Sequence, residues 1–437
     1  MPLTRLDTGG IARSLAQIAD RPDDHVDVFF ELDSEIGVVG RADALTPQRR
    51  AEQGLAVRLL RDGKSWLASS DEVTPEAFAD AVARVARARP GAVSRPPRSL
   101  GRFELDSGSD SSLRRFVAAV ESAITERHAA FPMTWDLRHH RRVSRVLGAM
   151  LSPTQQDEQF FSCIAVTPWF RWGSLLLDLE PANVEAVAGS LTALFRARRA
   201  QSPSAGRYNL VLGPAAAAVL LHESVAHMLE TDTLALSGDP EAAVGVQLAA
   251  SSVEVVDDPT GAPAGVARSV DDEGMPAVRR WLLRGGLVEQ PLADLLRGAA
   301  SRRLLPGAAR RGSRHLAPVP RSTHLELLGG TATQDELVTR CGDGLLVEEF
   351  SSGSVDPLSG RLRLDFSSGR RIEGGRPGEV VGAGSVVGSA ADVLAKVKEV
   401  GADRRSAGAG WCAKSGHRLP VWATTPSVLL EQIEVGP

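Results

Sequence analysis

The chain has 437 residues, of which 43% are hydrophobic, and a formal net charge of -4. This length supports two or three domains with packed cores, and the slight negative charge gives no electrostatic reason to expect a nucleic-acid partner. No segment reaches the roughly 18 consecutive apolar residues of a membrane span, and the N-terminal segment lacks a signal-peptide core. The three cysteines do not suggest a disulfide framework. We therefore expect a cytoplasmic protein without a membrane partner.

The first part of the chain is predicted to form an α/β domain. Apolar runs predict strands at 25–38 and 55–67, and apolar residues at helical spacing predict a helix that starts at Thr74. Further elements are expected in the order helix 113–124, strands 142–147 and 160–166, and helix 183–199. A proline-rich basic connector occupies 93–102, and a polar linker occupies 201–206. The predicted domains are therefore 1–200 and 207–437.

The second domain is predicted to be mostly antiparallel β structure, which gives an α+β fold with two domains. Strand signals occur at 208–212, 252–256, 345–350, 361–366, 380–387, 419–424 and 428–435. Two short helices interrupt them. Each begins with a hydroxyl residue followed three positions later by an acid, at Thr333 with Glu336 and at Ser389 with Asp392.

A third helix in this domain carries groups suited to chemistry. The strand at 208–212 ends at a glycine, and Pro214 opens an Ala/Leu/Val-rich helix. Within the helix, His222, Glu223 and His227 supply two imidazoles and a carboxylate. Hydrolytic zinc chemistry needs this combination, because neutral nitrogens hold the ion and a carboxylate takes a proton from water.

The spacing of the two histidines requires a departure from a regular helix. Residues five positions apart lie about 140° apart around the axis, whereas the usual zinc pair, four positions apart, lies about 40° apart. A π-type insertion, or unwinding near His227, would bring the rings together. In the alternative interpretation, one histidine caps or packs and the other is solvated.

Four sequence blocks resemble the TldD/PmbA family, the so-called modulators of DNA gyrase. In family order they are LGPAAAAVLLHESVAHMLE at 212–230, VDDEGMP at 270–276, GLLVEEFSSGSVDPLSG at 344–360 and GWCAKSG at 410–416, with a weaker match at 54–70. The two histidines are similar to those of the TldD branch, since the TldE branch lacks them. The chain departs from the family's usual glycines at Ala226, Met228 and Thr231.

The resemblance implies a zinc-dependent peptidase with Cys412 as the third ligand. Cys412 follows the glycine-rich segment 408–411, which we expect to be a flexible turn that delivers a thiolate, and thiolate suits zinc. Alternatively, Cys412 is a small buried hydrophobic residue. Glu230 and Asp232 are the rival candidates, either as ligands or, for Glu230, as a partner that orients an imidazole.

Charged segments in the second domain offer further candidates. The carboxylates at 257–258 and 271–273 would suit a second metal, but we expect solvated turns, and the resemblance implies that the second group shapes the cleft. In the basic loop 302–321 we expect Arg311, Arg314 and His315 to face the peptide or its C-terminal carboxylate, the alternative being a solvated loop. The remaining histidines considered are expected to be structural, namely His139, His140, His324 and His417.

The sequence therefore predicts a zinc-dependent peptidase of the TldD type that acts on unfolded or short peptides, with Glu223 as general base and later proton donor. A toxin, a natural-product precursor and general peptide debris stay open as substrates. The resemblance also implies a TldE-like partner in a heterodimer, or a homodimer. The alternative function is a non-catalytic scaffold or binding subunit that pairs with an active homologue.

Overall fold

A computed structural model describes residues 8–87, 110–127, 129–148, 154–299 and 301–437. The proline-rich connector expected at 93–102 lies outside these residues. Within them, helices combine with sheets that are mostly antiparallel, so the α+β prediction is confirmed. Across these ranges, every helix falls short of the length and apolar character that crossing a membrane requires.

The helices include both of the short capped ones. In chain order they are α1 (Thr8–Ala16), α2 (Pro75–Arg87), α3 (Asp110–Glu126), α4 (Pro181–Ala197), α5 (Pro214–Leu221), α6 (Thr231–Ser237), α7 (Leu295–Gly298), α8 (Gln334–Cys341) and α9 (Ala390–Ala395). At the start of α8, the Thr333 hydroxyl accepts from the Glu336 N–H while the Glu336 carboxylate accepts from the Thr333 N–H. At the start of α9, the Ser389 hydroxyl accepts from the Asp392 N–H at 3.1 Å. Both caps therefore stabilise their helix ends as predicted.

The first sheet is a six-stranded antiparallel sheet made entirely of residues before the predicted boundary. Its strands are β1 (His25–Arg41), β2 (Ala44–Arg61), β3 (Lys64–Ser70), β4 (Thr134–Gly148), β5 (Thr154–Val166) and β6 (Arg171–Leu176), in the spatial order β3-β2-β1-β4-β5-β6. Helices α3 and α4 pack on it through apolar residues at helical spacing, among them Phe116, Val120 and Leu191. This layer forms one hydrophobic core.

The second half of the chain forms three sheets. The nine-stranded sheet contains β7 (Gly206–Leu212), β14 (Gly344–Val347), β15 (Ser352–Asp356), β16 (Arg361–Phe366), β17 (Gly369–Glu373), β18 (Arg376–Val381), β19 (Gly384–Ser389), β20 (Val397–Val400) and β23 (Val428–Gly436). The six-stranded sheet contains β8 (Val255–Asp257), β9 (Arg280–Arg284), β10 (Leu287–Val288), β13 (His324–Leu327), β21 (Arg405–Lys414) and β22 (His417–Thr425). A small ribbon pairs β11 (Ala309–Arg310) with β12 (Val319–Pro320). Within the nine-stranded sheet, β15 lies at one edge and pairs only with β16.

The single strand predicted at 380–387 is in fact two, because the chain leaves the sheet between β18 and β19. The Gly382 N–H donates to the Gln201 carbonyl at 2.8 Å. A Cβ at Gly382 would lie 2.5 Å from the Ala200 carbonyl oxygen, so only glycine allows this approach. The interruption therefore comes from a contact with the segment before β7, and local sequence does not show it.

Helix α5 is packed between sheets on all sides. It contacts β7, β13, β15, β21 and β22, and Ala216, Ala217 and Ala218 have no exposed surface. Small side chains let the backbone of a helix approach neighbouring strands on every face, which explains why the segment is rich in alanine rather than amphipathic. The residues that follow α5 are consequently held in a fixed position inside the second half of the chain.

Buried ion pairs connect the first sheet to the second half. Arg58 on β2 donates to Asp27 on β1 at 2.8 Å and to Glu273 at 2.5 Å, and all three side chains have 0–2% of their surface exposed. Arg268 likewise pairs with Glu158 on β5 at 2.9 Å. Because these contacts cross the expected boundary, the division into domains 1–200 and 207–437 stays a prediction.

Candidate metal centre

The helix that begins with α5 changes its winding at the first histidine. Residues His222–Ala226 form a π-helical turn, and His227–Leu229 form a 3₁₀ turn. The His227 N–H donates to the carbonyl of His222, five residues earlier, instead of four residues earlier. This wider turn aligns positions that are five apart, so the two imidazole rings lie 4.5 Å apart at an angle of 65°. The predicted π-type insertion is confirmed.

Cys412 reaches the histidines from strand β21. Its Sγ lies 3.5 Å from His227 Nε2, and one donor atom from each of His222, His227 and Cys412 falls within 4.8 Å of the others. All three residues are buried. Two histidines and a cysteine in this arrangement match the ligand sets of zinc sites, in which three protein groups leave a fourth position open.

The segment before Cys412 is a strand, so the expected flexible turn was wrong. Residues Arg405–Lys414 pair with β22 throughout, with a bulge between Gly408 and Gly410. Gly410 has a φ of +108°, a conformation that side chains other than glycine rarely adopt. At Gly408 a Cβ would lie 2.6 Å from the Leu175 Cβ of β6. The glycines thus serve the bulge and the close approach to β6, and paired strands hold the thiol rigidly.

Glu230 supports His227 from behind the ring. Both carboxylate oxygens lie 3.1 Å from His227 Nδ1, on the other side of the imidazole from Cys412. The chain leaves its helical conformation at Glu230, where φ is -78° and ψ is 119°, and the adjacent amides of Thr231 and Leu292 lock this turn to a neighbouring segment. Glu230 therefore orients the imidazole and leaves Nε2 directed at the metal position.

Two cations share the same carboxylate. Lys414 Nζ donates to Glu230, and Arg321 Nη1 lies 3.2 Å from Glu230 and 3.1 Å from Asp232. Burial alone would raise the pKa of Glu230, but His227 and these cations lower it to about 2. The fully buried carboxylate is thus kept ionised by three positive partners.

The two histidines have opposite protonation tendencies. Burial lowers the pKa of His222 to about 3, with a further contribution from His227, and its Nδ1 is buried without a hydrogen-bond partner. Burial would also lower the pKa of His227, but Glu230 outweighs it and raises that pKa to about 10. A neutral ring with an unpartnered nitrogen fits a metal ligand, and metal binding at His227 would displace a proton.

Glu223 lies beside an edge strand. A Cβ built at Gly353 on β15 would be 2.8 Å from the Glu223 Cγ, so glycine is needed for the carboxylate to pack there. Burial raises the pKa of Glu223. Glu223 thus lies next to an edge strand and one residue from a histidine suited to metal binding. A carboxylate with a raised pKa in this place can exchange a proton with a molecule bound between the edge strand and the histidines.

The sequence of the second half matches a known family. Residues 205–437 match the model described as the PmbA/TldA metallopeptidase C-terminal domain. The chain belongs to the PmbA/TldD metallopeptidase family. Its curated relatives include metalloprotease TldD homologs of Buchnera aphidicola, 30% identical over 237 residues, and of Haemophilus influenzae, 31% identical over 235 residues. Each match covers 53% of this chain and 48% of the relative, so the chain spans about half the length of the curated relatives it matches.

Solved structures share the fold over nearly the whole chain. TldE from Thermococcus kodakarensis superposes with a TM-score of 0.76 at 15% identity and covers 98% of this chain and 99% of its own. A putative modulator of DNA gyrase from Thermotoga maritima gives 0.75 at 17% identity, with coverages of 98% and 100%. At such low identity the likeness shows that the PmbA/TldD fold extends to the first half.

Three residues expected to bind the peptide lie instead in internal contacts of this fold. Arg311 is fully buried, with its guanidinium 4.3 Å from the Phe29 ring centre and 3.7 Å from Asp27. The Arg314 backbone N–H donates to Glu31 at 3.0 Å, and its guanidinium pairs with Asp71. His315 is partly exposed, but its two ring nitrogens face the Ser69 hydroxyl and Asp71, each at 3.0 Å. Arg311 and Arg314 thus pair with internal carboxylates, and burial lowers the pKa of His315, which disfavours its charged form. The expected peptide-carboxylate contact is corrected.

The acidic groups at 257–258 and 271–273 were expected to be solvated turns. The second group does form a turn, but both groups are buried, so the expected solvation was wrong. Asp271 accepts from the backbone amides of Glu273 and Met275, each at 2.9 Å, which closes a tight turn. Asp272 pairs with Arg268, and Asp257 accepts from the amides of Thr323 and His324. These carboxylates are buried and bind arginines and backbone amides, although Asp257 Oδ2 has no hydrogen-bond partner, so they organise loops in the interior.

Lys414 and Arg321 were missed in the sequence. Lys414 stands two positions after Cys412, and alternate residues of a strand point to the same side, so a strand assignment for β21 would have placed it beside the metal position. Arg321 offers no such signal, because its contact with Glu230 depends on how the segment after β12 packs. Of the other histidines, His324 bonds to the Thr424 hydroxyl at 2.9 Å and His417 accepts from the Gly312 N–H at 3.0 Å.

Proposed function

We propose that the chain is a zinc-dependent peptidase of the TldD type that hydrolyses unfolded or short peptides. The observation that carries the proposal is the convergence of His222, His227 and Cys412, with donor atoms within 4.8 Å of one another, directly beside Glu223. Membership of the metallopeptidase family supports a metal at this place. The choice of zinc rests on the ligand chemistry, since imidazole and thiolate together suit it.

The metal would be held by one nitrogen of each histidine and by the Cys412 thiolate. Zinc bound there supplies Lewis acidity, which activates water and polarises a peptide carbonyl. Glu230 fixes His227 through Nδ1, and Lys414 ties Glu230 to the strand that carries Cys412. The ligands therefore come from two elements that the Lys414–Glu230 ion pair joins.

Glu223 acts as general base and afterwards as proton donor. It takes a proton from the attacking water and later returns it to the amine of the leaving peptide. Burial raises the pKa of this carboxyl group, which makes the carboxylate a stronger base in the first of these steps. The backbone N–H of Val355 on β15 donates to this carboxylate and holds it next to the strand.

The substrate is an extended chain that adds to the free edge of β15. An edge strand presents unpaired backbone N–H and C=O groups, and these bind another strand with little dependence on its side chains. Because Gly353 on β15 contacts Glu223, a peptide bond aligned with this strand comes near the base. Only unfolded or short peptides offer a backbone free for such pairing.

The active protein is a dimer in the cytoplasm, with a TldE-like chain or with a second copy as partner. The solved neighbour described as TldE shares this fold. The scaffold alternative makes a different prediction about the centre, because a binding subunit does not need the metal.

Metal content and peptide hydrolysis test the proposal together. After dialysis against a metal-free buffer, elemental analysis should find about one zinc per chain, and the dimer should digest an unfolded protein while leaving its folded form intact. A folded chain without any transition metal would refute the peptidase and favour the scaffold subunit. Digestion should stop with a chelator and return with zinc.

A further inference from the structure

A pocket of about 270 Å³ opens between α4, β6 and the segment after β14. The apolar part of its wall consists of Trp172, Leu194 and Phe350. The polar groups in the wall belong to Ser190, Glu348 and Glu349. Its size suits one long side chain rather than a whole peptide. The pocket lies apart from the three metal-type ligands and plays no part in the proposed chemistry.

Neutral donors alone hold the Glu349 carboxylate. It accepts hydrogen bonds from Trp172 Nε1 at 3.2 Å and from the Ser190 hydroxyl. The neighbouring Glu348 accepts from the Gln334 amide at 3.1 Å and 3.2 Å. Among the residues that the structure describes, no lysine or arginine lies within ion-pair distance of either carboxylate. Glu349 is partly buried and Glu348 is exposed.

The charge of the lining favours a cation. Arg171 also lines the pocket. The lining therefore contains two negatively charged carboxylates and one positively charged guanidinium. Trp172 and Phe350 add ring surfaces, which contact the methylene stem of lysine or arginine and attract its charged end. Since Trp172 and Ser190 fix Glu349 in place, a ligand does not have to order it.

The pocket adjoins the N-terminal end of β15, the strand beside Glu223. Its lining residue Ser351 immediately precedes β15, and Gly353 on β15 contacts Glu223. A strand advances about 3.4 Å per residue. A peptide alongside β15 would therefore present a residue to the pocket about two to four positions from the bond next to Glu223.

We propose that this pocket is a subsite for a basic side chain, lysine or arginine, located two to four residues from the scissile bond of an extended peptide. The proposal rests on the proposed function, because it takes the edge of β15 as the peptide-binding strand. Glu349 is the main acceptor of the ammonium or guanidinium group, and Glu348 adds a second negative charge.

Peptide binding to the zinc-loaded Glu223→Gln variant tests this without cleavage. The probes are fluorescein-labelled peptides of neutral residues in which lysine, norleucine or glutamate is placed at each position in turn, measured by fluorescence anisotropy. Lysine should bind about ten-fold more tightly than norleucine at one or two positions, the weight of one charge-assisted hydrogen bond. Glutamate at those positions should bind more weakly than norleucine.

Adding Glu349→Gln should remove the lysine advantage, and Glu373→Gln, an exposed residue at the end of β17, should keep it. Equal binding of lysine and norleucine peptides at every position would overturn the subsite while leaving the peptidase proposal in place. Tighter binding of the glutamate peptides would show that Arg171 determines the preference of the pocket, and it would also overturn the basic subsite. Absence of binding by any peptide would instead count against the proposed function itself. If the double variant does not fold, the peptide series in the single variant still decides.

Discussion

His227 lies between Cys412 and Glu230, with Nε2 3.5 Å from the sulfur and Nδ1 3.1 Å from both carboxylate oxygens. Such a carboxylate–imidazole pair fixes the ring and makes it a stronger donor. Glu230→Gln keeps the shape but removes the charge, so zinc affinity should fall about 10- to 100-fold. Competition with a zinc-sensitive dye measures it. Asp232→Asn, which touches Arg321 but not His227, is the matched control and should change affinity less.

Cys412→Ser should weaken zinc binding far more than Glu230→Gln, because a hydroxyl is a poor replacement for a thiolate. Cys163→Ser and Cys341→Ser are the controls, since both thiols are buried away from the histidines and should leave metal content unchanged. If Glu230→Gln strips the metal while Cys412→Ser retains it, the third ligand is Glu230.

Glu223→Gln should keep the metal and the fold but lower peptide hydrolysis by about 10² to 10⁴, because the amide cannot take a proton from water. Steady-state cleavage of an unfolded protein and elemental analysis of the same sample check both parts. Activity close to that of the unchanged chain would show that another group is the base. Loss of zinc would make Glu223 structural.

Arg58→Met should lower the free energy of unfolding by about 3–5 kcal/mol, because it leaves Asp27 and Glu273 buried without their shared cation. Arg21→Met removes a pair with Asp62 whose side chains are 54% and 68% exposed, so that change should stay below about 1 kcal/mol. Urea denaturation followed by tryptophan fluorescence compares them. Equal effects of the two variants would show that the buried pairs of Arg58 stabilise the fold no more than an exposed pair does.

Light scattering should give a mass near twice the 46.3 kDa of one chain, alone or after mixing with a TldE-like chain. Sheets with free edges such as β15 and β18 need covering, and a partner can provide it. Hydrolysis that appears only on mixing supports the heterodimer. A stable monomer that digests peptides unaided contradicts both forms.

The sequence was informative where short-range rules apply. The capped helices at Thr333 and Ser389, the strand–helix unit at 206–221 and the need for a π-type turn between His222 and His227 all follow from neighbouring residues. The turn was predictable because spacing of five is incompatible with two ligands on a regular helix. These features required no knowledge of distant contacts.

Features that depend on long-range pairing were not predictable. Arg314 is bonded to Glu31, which lies 283 positions away, and no local pattern distinguishes such an arginine from one on a solvated loop. The glycines at Gly408 and Gly410 suggested a turn, but their purpose is a bulge and an approach to Leu175 of the first sheet. Burial of charge and delivery of Cys412 therefore required the assembled sheets.

His227 and Cys412 are 185 positions apart in the chain. This separation determines the stage of synthesis at which all three candidate metal ligands are present. A chain still emerging from the ribosome carries both histidines long before β21 has been made and has paired with β22. Until then the pair of imidazoles lacks its sulfur ligand, and Glu230 lacks Lys414. The hydrolysis that we propose for the centre therefore cannot begin before synthesis has passed Cys412, when the histidine-bearing helix is already synthesised.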